Sequence, residues 1–168
     1  MRQMKHVCRE GLARASRAKG SSLVEFALIV PLFFILIFGI IDFGRIFFIE
    51  LTLQNALRQA GRFAVTGNHL PDPNNPTIQL SRINSIIQTA KQAAAGVDVS
   101  NIQISSLAGG NAGPNRAGGP GDTITISITV NLHLITPLIG RFFGPSNTYT
   151  FVVSTSFRNE PFPPSATT

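Results

Sequence analysis

The chain has 168 residues, a formal net charge of +6 and a single cysteine. Six basic side chains and one acidic side chain lie in the first twenty residues, whereas the rest of the chain carries eight basic and seven acidic ones. Because the folded part is nearly neutral, a nucleic-acid-binding surface is not indicated. Cys8 alone cannot form a disulfide within the chain, and three separated histidines do not have the spacing of a zinc site.

An apolar stretch follows the basic segment. Residues 26–41 carry no charge, and a helix of this length covers about 24 Å at about 1.5 Å per residue. A hydrocarbon core is about 30 Å thick, so residues 21–24 and 43–49 would supply the missing length. The pattern predicts one membrane-spanning helix. The cations that precede it place the N-terminus in the cytoplasm and the bulk of the chain outside, by the positive-inside rule.

Besides Glu25, three residues of this helix are candidates for a specific role. Pro31 removes one backbone hydrogen bond, so we expect a kink in the membrane-spanning half. Asp42 and Arg45 lie three residues apart on one helical face, and we expect them to pair at the membrane edge. No small-residue cleavage site follows Ile41, so an ordinary secretory signal is not indicated, and an uncleaved signal-anchor remains an alternative.

Glu25 is the one carboxylate within the apolar run. A charge at the centre of a membrane helix costs about 2.5–3.5 kcal/mol, and less near an end. If a peptidase cut the chain after Gly20, the new α-amine of Ser21 would lie four residues from Glu25 and would be largely cationic at neutral pH. This amine could neutralise Glu25 of the same chain or of an adjacent copy, and both remain open.

The junction Gly20-Ser-Ser-Leu-Val-Glu25-Phe26 resembles the prepilin-peptidase site of type IV pilin-like proteins: a glycine, four residues, then Glu and Phe at the head of an apolar helix. Residues 22–32 (SLVEFALIVPL) and 38–45 (FGIIDFGR) resemble the TadE-like branch, the pseudopilins of tight-adherence (Flp) pilus systems. Residues 134–140 (LITPLIG) and 157–160 (FRNE) are similar to the same branch. The resemblance is strong over residues 20–65 and weaker over residues 122–160. Ser21 departs from many major pilins, which carry an aromatic residue there.

The resemblance implies a minor pilin, or pseudopilin, that is matured by a prepilin peptidase between Gly20 and Ser21 and is required to assemble a tight-adherence pilus. Glu25 would act in assembly by pairing with the N-terminal amine. The implied location is the bacterial inner membrane, as a single-pass protein with a cytoplasmic N-terminus and a periplasmic or extracytoplasmic C-terminal domain. The rival interpretation is an unprocessed single-pass scaffold of the same apparatus.

The resemblance also implies the partners. They are the prepilin peptidase, other minor pilins, the major Flp-type pilin, the inner-membrane assembly platform and the lipid bilayer. Neither nucleic acid nor a small-molecule substrate is implied, and no cofactor or metal is expected.

Periodicity predicts the remaining elements. Between Leu53 and Ala64 apolar residues recur at spacings of three and four, so the long helix should continue to Thr66. A loop rich in proline and asparagine follows. A second helix should begin at the N-cap Thr77, carry an apolar stripe over residues 80–94 and end near Gly96. We expect this helix to lie on the surface over a sheet, with these polar side chains on its outer face: Arg82, Asn84, Ser85, Gln88 and Lys91.

From Val97 the apolar residues alternate with polar ones, which is typical of strands. Residues 97–104 predict a first strand, and the glycine-rich residues 108–121 predict a loop without regular structure. Residues 124–134 alternate six times without a miss and predict the most secure strand. Residues 137–145 should turn the chain back into a last antiparallel strand over residues 149–157.

The predicted fold class is therefore α+β and pilin-like: a long N-terminal helix, a second helix and a small antiparallel sheet. Its segments are a basic cytoplasmic leader (1–20), a long helix whose N-terminal half spans the membrane (21–66), an extracytoplasmic α+β domain (67–160) and a disordered tail (161–168).

No catalytic constellation is predicted. His133 falls on the polar face of the long strand, and His69 falls in the proline-rich loop. Asp98 and Asp122 are isolated, so paired carboxylates for acid–base catalysis are missing. The glycines of residues 109–121 are not followed by a phosphate-binding Gly-Lys-Ser/Thr sequence. We interpret the protein as a substrate of enzymes rather than an enzyme.

Overall fold

The computed structural model describes residues 3–107, 112–136, 140 and 146–163, with side chains along the first helix from Gly20 onwards. The elements of these residues are, in chain order, α1 (Gln3–Val65), α2 (Arg82–Ala93), β1 (Ile102–Leu107), β2 (Gly113–Pro114), β3 (Thr123–His133) and β4 (Thr148–Arg158). The strands form one sheet in the order β2-β1-β3-β4, and all neighbours are antiparallel. The predicted α+β class with a long apolar N-terminal helix, a second helix and a small antiparallel sheet is confirmed.

Helix α1 begins at Gln3, earlier than the predicted start near residue 21. Most residues of the basic segment are good helix formers, and an isolated glycine costs only about 1 kcal/mol relative to alanine. The helix also continues through Pro31 without an interruption of its helical assignment. It ends at Val65, and Gly67 follows in the left-handed region with φ of +70°, where glycine is favoured.

The two halves of α1 differ in burial. Side chains from Gly20 to Ile29 are all exposed, and none of the most apolar window of the helix is buried. Farther along, five residues on one face are at most 1% exposed: Leu53, Ala56, Leu57, Ala60 and Ala64. The apolar face that the periodicity predicted for the second half is therefore the face that packs on the domain.

Helix α2 is shorter than predicted and packs mainly on α1 rather than covering the sheet. It begins at Arg82 with Ser81 as N-cap, whose hydroxyl accepts the N–H of Asn84 at 3.3 Å. The prediction of Thr77 as the N-cap is wrong, because Gln79 pairs instead in a β-bridge with Pro71 and holds the segment before Ser81 extended. Gly96 lies just after the helix with φ of +82°, as its predicted place at the helix end requires.

Two residues assigned to the outer face of α2 are in fact buried. Arg82 is 1% exposed and Ser85 is 0% exposed. Both lie on the side that faces α1, because Arg82 precedes the buried Ile86 by four residues and therefore shares its face.

Strand β3 forms the centre of the sheet and carries the core. Its buried residues are those of the alternating pattern: Ile124, Ile126, Ile128, Val130 and Leu132. Eleven consecutive residue pairs join it to β4, from Thr123 with Arg158 to His133 with Thr148. On β4, Phe157 lies against the backbone of Gly61, where a Cβ atom would overlap its ring. The glycine that weakens α1 intrinsically thus allows the helix to approach the sheet closely.

The first strand and the glycine-rich loop differ from the prediction. β1 begins at Ile102, so Val97 and Val99 lie before the strand. The stretch predicted to lack regular structure contains β2, and three of its carbonyls are fixed by side chains. Asn159 donates to the carbonyls of Ala117 at 3.0 Å and Gly119 at 2.9 Å, and Arg82 donates to that of Gly118. Side-chain donors from distant elements order a segment whose own composition favours disorder.

The first residues of the tail that was predicted to be disordered contact the domain. Phe162 is 8% exposed, and its ring lies over Gly67 and against the guanidinium of Arg82. Burial of an aromatic ring is favourable enough to hold the chain end against the domain. Residues 164–168, and the turn predicted over residues 137–145 except Gly140, lie outside the described residues.

Candidate functional site

The predicted processing junction lies inside α1. Gly20 is exposed and has no non-local heavy atom within 4 Å of where a Cβ would be. The hydroxyl of the next residue, Ser21, donates at 3.3 Å to a carboxylate oxygen of Glu25, which lies one turn farther along the helix. The two residues therefore share one helix face, which is the geometry that a Ser21 amine would need to reach Glu25 of its own chain.

Asp42 is the buried carboxylate of α1. It is 3% exposed, although its neighbours Ile41 and Phe43 are 44% and 65% exposed. The segment that follows β3 covers it: the backbone N–H groups of Ile135 and Thr136 donate to its two oxygens at 2.9 and 2.8 Å. Two charge-assisted hydrogen bonds satisfy a carboxylate that would otherwise be costly to bury.

Arg45 completes this contact from the next turn of the helix. One of its guanidinium nitrogens lies 3.7 Å from Asp42 and donates to the carbonyl of His133 at 3.4 Å. We call Asp42, Arg45, His133, Ile135 and Thr136 the Asp42 clamp. The sequence predicted only that Asp42 and Arg45 form an ion pair. In the structure the Asp42 carboxylate also binds the segment after β3 and so joins the end of this strand to α1. Because the Arg45 side chain is 42% exposed and its contacts are long, we assign most of the binding to Asp42.

A second buried polar group lies at the other end of the domain. Arg82 donates to the carbonyl of Ala64, in the last turn of α1, at 2.8 Å and to that of Gly118 at 2.5 Å. Phe162 stacks on its guanidinium, with 4.5 Å between Cζ and the ring centroid. Burial lowers the pKa of Arg82 below its ordinary value, and the negative charge of Asp122 opposes this shift. We call Arg82, Ala64, Gly118, Asp122 and Phe162 the Arg82 cluster.

Sequence reasoning missed the Arg82 cluster, although a signal was present. Arg82, Ile86, Ala90 and Ala94 are spaced by four, so the arginine occupies the apolar stripe of α2. A cation on such a stripe predicts a buried partner, and the exposed C-terminal carbonyls of α1 are suitable acceptors. Asp122 was likewise described as isolated, but its carboxylate accepts the N–H of Gly119 at 2.7 Å.

The structure does not assemble the other candidate residues into a site. His133 is exposed on β3, and a ring nitrogen of His69 lies 2.8 Å from the carbonyl of Leu80. Among the described residues, no three His, Cys, Asp or Glu side chains are grouped closely enough to hold a metal ion. The arrangement of the described polar groups thus joins elements of the fold to one another.

Comparison with known families gives a match to the part of α1 that carries the processing junction and Asp42. A family model described as "TadE-like protein" matches residues 20–62. Residues 20–62 therefore resemble TadE-like proteins, and we call them the TadE-like segment. This segment contains Gly20, Glu25, Asp42 and Arg45, and the match agrees with the resemblance that these residues indicated. No match was found among curated proteins or among solved structures.

The TadE-like segment divides into two parts in the structure. Its first part, from Gly20 to Ile41, has a largely exposed apolar surface that continues at Phe43, Phe47, Phe48 and Leu51 on one side of the second part. This helix is long and apolar enough to cross a membrane. Its second part runs from Asp42 to Arg62 and packs on the sheet and α2. One N-terminal apolar helix of this kind fits a single-pass membrane protein. The similarities noted at residues 134–140 and 157–160 lie outside the match and stay predictions.

Proposed function

We propose that this protein is a minor pilin of a tight-adherence pilus, matured by a prepilin peptidase between Gly20 and Ser21 and required for pilus assembly. The observation that carries the proposal is the TadE-like match, which begins at Gly20 and includes Glu25. Other pilins, the peptidase and the inner-membrane platform are the partners that follow from this assignment. The protein is proposed to act as a structural subunit rather than as an enzyme.

The Asp42 clamp supports a specific placement in the membrane. Among the described hydrogen bonds between α1 and the segment that ends the sheet, those of Asp42 lie nearest to the exposed apolar part of α1. Gly20 to Ile41 covers about 33 Å at about 1.5 Å per residue, close to the roughly 30 Å of a hydrocarbon core. We place the outer membrane boundary at Asp42. The sequence-based span extended to Ile49. Residues 43–49 lie beyond the clamp, although Phe43, Phe47 and Phe48 among them are 65%, 53% and 61% exposed.

The unprocessed scaffold remains the alternative, and one observation favours it. α1 runs from Gln3 across the Gly20–Ser21 bond as one helix, without a break that would present the bond in an extended form. A peptidase would therefore have to unwind the helix at this junction. Gly20 provides the local flexibility for that step, because glycine in a helix interior is destabilising.

The size and N-terminus of the protein purified from piliated cells distinguish the two functions. We expect the mature chain to begin at Ser21 when its mass and N-terminal sequence are determined. Replacing Gly20 by leucine should leave the leader attached, because a bulky side chain blocks close approach to the backbone. Gly44→Leu, which also has open space at its Cβ position, is the matched control and should be processed normally. If the wild-type chain starts at Met1, the unprocessed scaffold becomes the favoured function in place of the minor pilin.

A further inference from the structure

Strand β4 is an open sheet edge of unusual length. It has eleven residues and is the last strand in the order β2-β1-β3-β4, whereas the opposite edge, β2, has two. Long edges are normally protected by charges, prolines or bulges, because their free backbone groups pair with other chains. Residues 148–157 contain no charge and no proline, and their register with β3 is uninterrupted. The edge therefore lacks the usual protection.

The register identifies which backbone groups face outwards. Leu134 donates its N–H to the carbonyl of Asn147, and Asn159 donates its N–H to that of Asp122. Hydrogen-bonded pairs alternate along an antiparallel ladder, so the odd-numbered residues of β4 bond to β3. The even-numbered residues Thr150, Val152, Ser154 and Ser156 direct their N–H and carbonyl groups to the open edge.

A groove beside this edge provides room for side chains. This groove is a cavity of about 200 Å³ between α1 and the middle of β4. It is lined by Gln54, Leu57, Arg58, Val153, Ser154 and Thr155. Arg58 is exposed at its wall, and Arg62 is exposed one turn farther along α1. A strand added to β4 would pass these two cations, so a carboxylate at that point would be favoured.

The membrane helix restricts the direction of the added strand. β3 runs towards the Asp42 clamp, and β4 therefore runs away from it. A two-fold antiparallel pairing of β4 with β4 of a second copy would place the two membrane helices at opposite ends, which one bilayer cannot accommodate. Among its described residues, a second copy presents at its other edge only the two-residue β2. Because parallel pairing is slightly less stable per residue, we take the added strand to be antiparallel, and such a strand comes from a different chain.

We propose that the open edge of β4 is a docking site for an extended strand of a different pilin-type subunit anchored in the same membrane. This strand runs towards the membrane, pairs antiparallel with residues 150–156 and carries a carboxylate beside Arg58. The proposal rests on the proposed function in taking α1 as a membrane anchor. Backbone pairing provides affinity, and the groove and Arg58 provide selectivity.

Amide hydrogen exchange of the full-length protein in detergent tests the pairing directly. The protein is measured alone and after co-expression with each other pilin-type subunit of the same pilus system, one at a time. With one of these subunits, the amides of Thr150, Val152, Ser154 and Ser156 should exchange at least about tenfold more slowly. The intervening amides, which already bond to β3, should change little. This alternation is specific to strand addition, since a side-chain contact would not produce it.

Matched variants separate edge pairing from unfolding. Ser154→Pro removes one outward N–H and should reduce co-purification of that subunit by about tenfold, while Ser154→Ala keeps the N–H and should not. Arg58→Glu should also reduce it, whereas Arg116→Glu, exposed near the β2 edge, should not. Unchanged melting temperatures must accompany these losses. If Ser154→Pro unfolds the domain, Val152→Lys, which adds an edge charge without removing an N–H, replaces it.

Three results would overturn the docking site: no binding by any of the subunits, binding without alternating protection of β4, or protection that depends only on the concentration of this chain. The last would show self-pairing. Processing is read separately from the mass of the chain. An unprocessed chain with a protected β4 would therefore refute the proposed function and leave the docking site standing.

Discussion

At the scale of single residues, two carboxylates of α1 have opposite surroundings. Glu25 is exposed and accepts a hydrogen bond from Ser21 of its own helix, whereas Asp42 is buried and accepts two from a distant segment. Glu25 is therefore free to exchange its partner for a group on another subunit. Asp42 is not, because its release would leave two backbone N–H groups and a charge without partners.

Substitution of Asp42 should loosen the domain from the helix. Asp42→Asn keeps one acceptor oxygen but turns an amide donor towards a backbone N–H, and we expect a loss of about 1–3 kcal/mol in the free energy of unfolding. Arg45→Gln, the matched change on the exposed partner, should cost less than about 1 kcal/mol. Urea unfolding in detergent, together with exchange of the Ile135 and Thr136 amides, measures both. Equal losses for the two variants would show that the ion pair, rather than the backbone contact, holds the clamp.

Substitution of Glu25 should affect assembly and leave insertion intact. If its carboxylate pairs with the Ser21 amine of an adjacent subunit, Glu25→Gln should be inserted and cleaved normally but leave cells with few pili, because the attraction is strong in apolar surroundings. Glu50→Gln makes the same change on the same helix beyond the clamp and should leave piliation normal. Pili are counted by electron microscopy at matched protein levels. Normal piliation of the Glu25→Gln strain would show that Glu25 pairs with the Ser21 amine of its own chain rather than with that of another subunit.

At the scale of elements, the second half of α1 acts as the central element of the domain. α2 packs on one part of its surface, and β3 and β4 pack on another. The two ends of this half are fastened by polar contacts: the Asp42 clamp holds the end of β3, and the Arg82 cluster joins the last turn of α1 to α2, the glycine-rich loop and Phe162. Removing the helix would therefore expose the apolar core and leave the Ile135 and Thr136 N–H groups and the Arg82 guanidinium without these acceptors.

A comparison of two fragments tests this role. A fragment that begins at Glu50 keeps Leu53 and Leu57, which are 0% and 1% exposed, and should fold. A fragment that begins at Asn68 loses them together with the carbonyl of Ala64 that Arg82 binds, and should aggregate or melt at a markedly lower temperature. Circular dichroism on heating provides the comparison. Equal melting temperatures would contradict the packing of residues 50–66 on the domain.

At the scale of the whole molecule, the charges and the fold lie on opposite sides of the apolar segment. Six basic residues precede Gly20, and the sheet and α2 follow Asp42. By the positive-inside rule we predict that residues 1–20 lie in the cytoplasm and residues 68–168 outside it. The open edge of β4 would lie on the outer side, where other pilin-type subunits of the same membrane could reach it.

Reporter fusions test this orientation. A reporter that is active only in the periplasm should be active when fused after Thr168, and a reporter that is active only in the cytoplasm should be inactive there. Replacing the six leader cations by glutamine should reduce the bias, because these charges determine the orientation. Activity of the cytoplasmic reporter in the wild-type chain would reverse the topology.

The sequence by itself determined the features that depend on local patterns. A continuous apolar run predicts α1, strict alternation predicts β3 and β4, and a glycine, a glutamate and the apolar residues around them identify the TadE-like segment. Each of these signals is contained in neighbouring residues, so chain periodicity and composition are sufficient to detect it.

Only the tertiary structure decided which polar residues are buried and where the irregular segments lie. Arg82 was assigned to the surface because it is a cation. Asp122 was described as isolated and Phe162 was assigned to a disordered tail because the residues around them are polar or rich in glycine and proline. Their partners lie far along the chain: Ala64 for Arg82, and Gly67 for Phe162. Asp42 likewise meets backbone N–H groups at Ile135 and Thr136, and a backbone N–H group has no signature in the amino-acid sequence. Such contacts form only when distant segments pack together, so local patterns do not identify the partners.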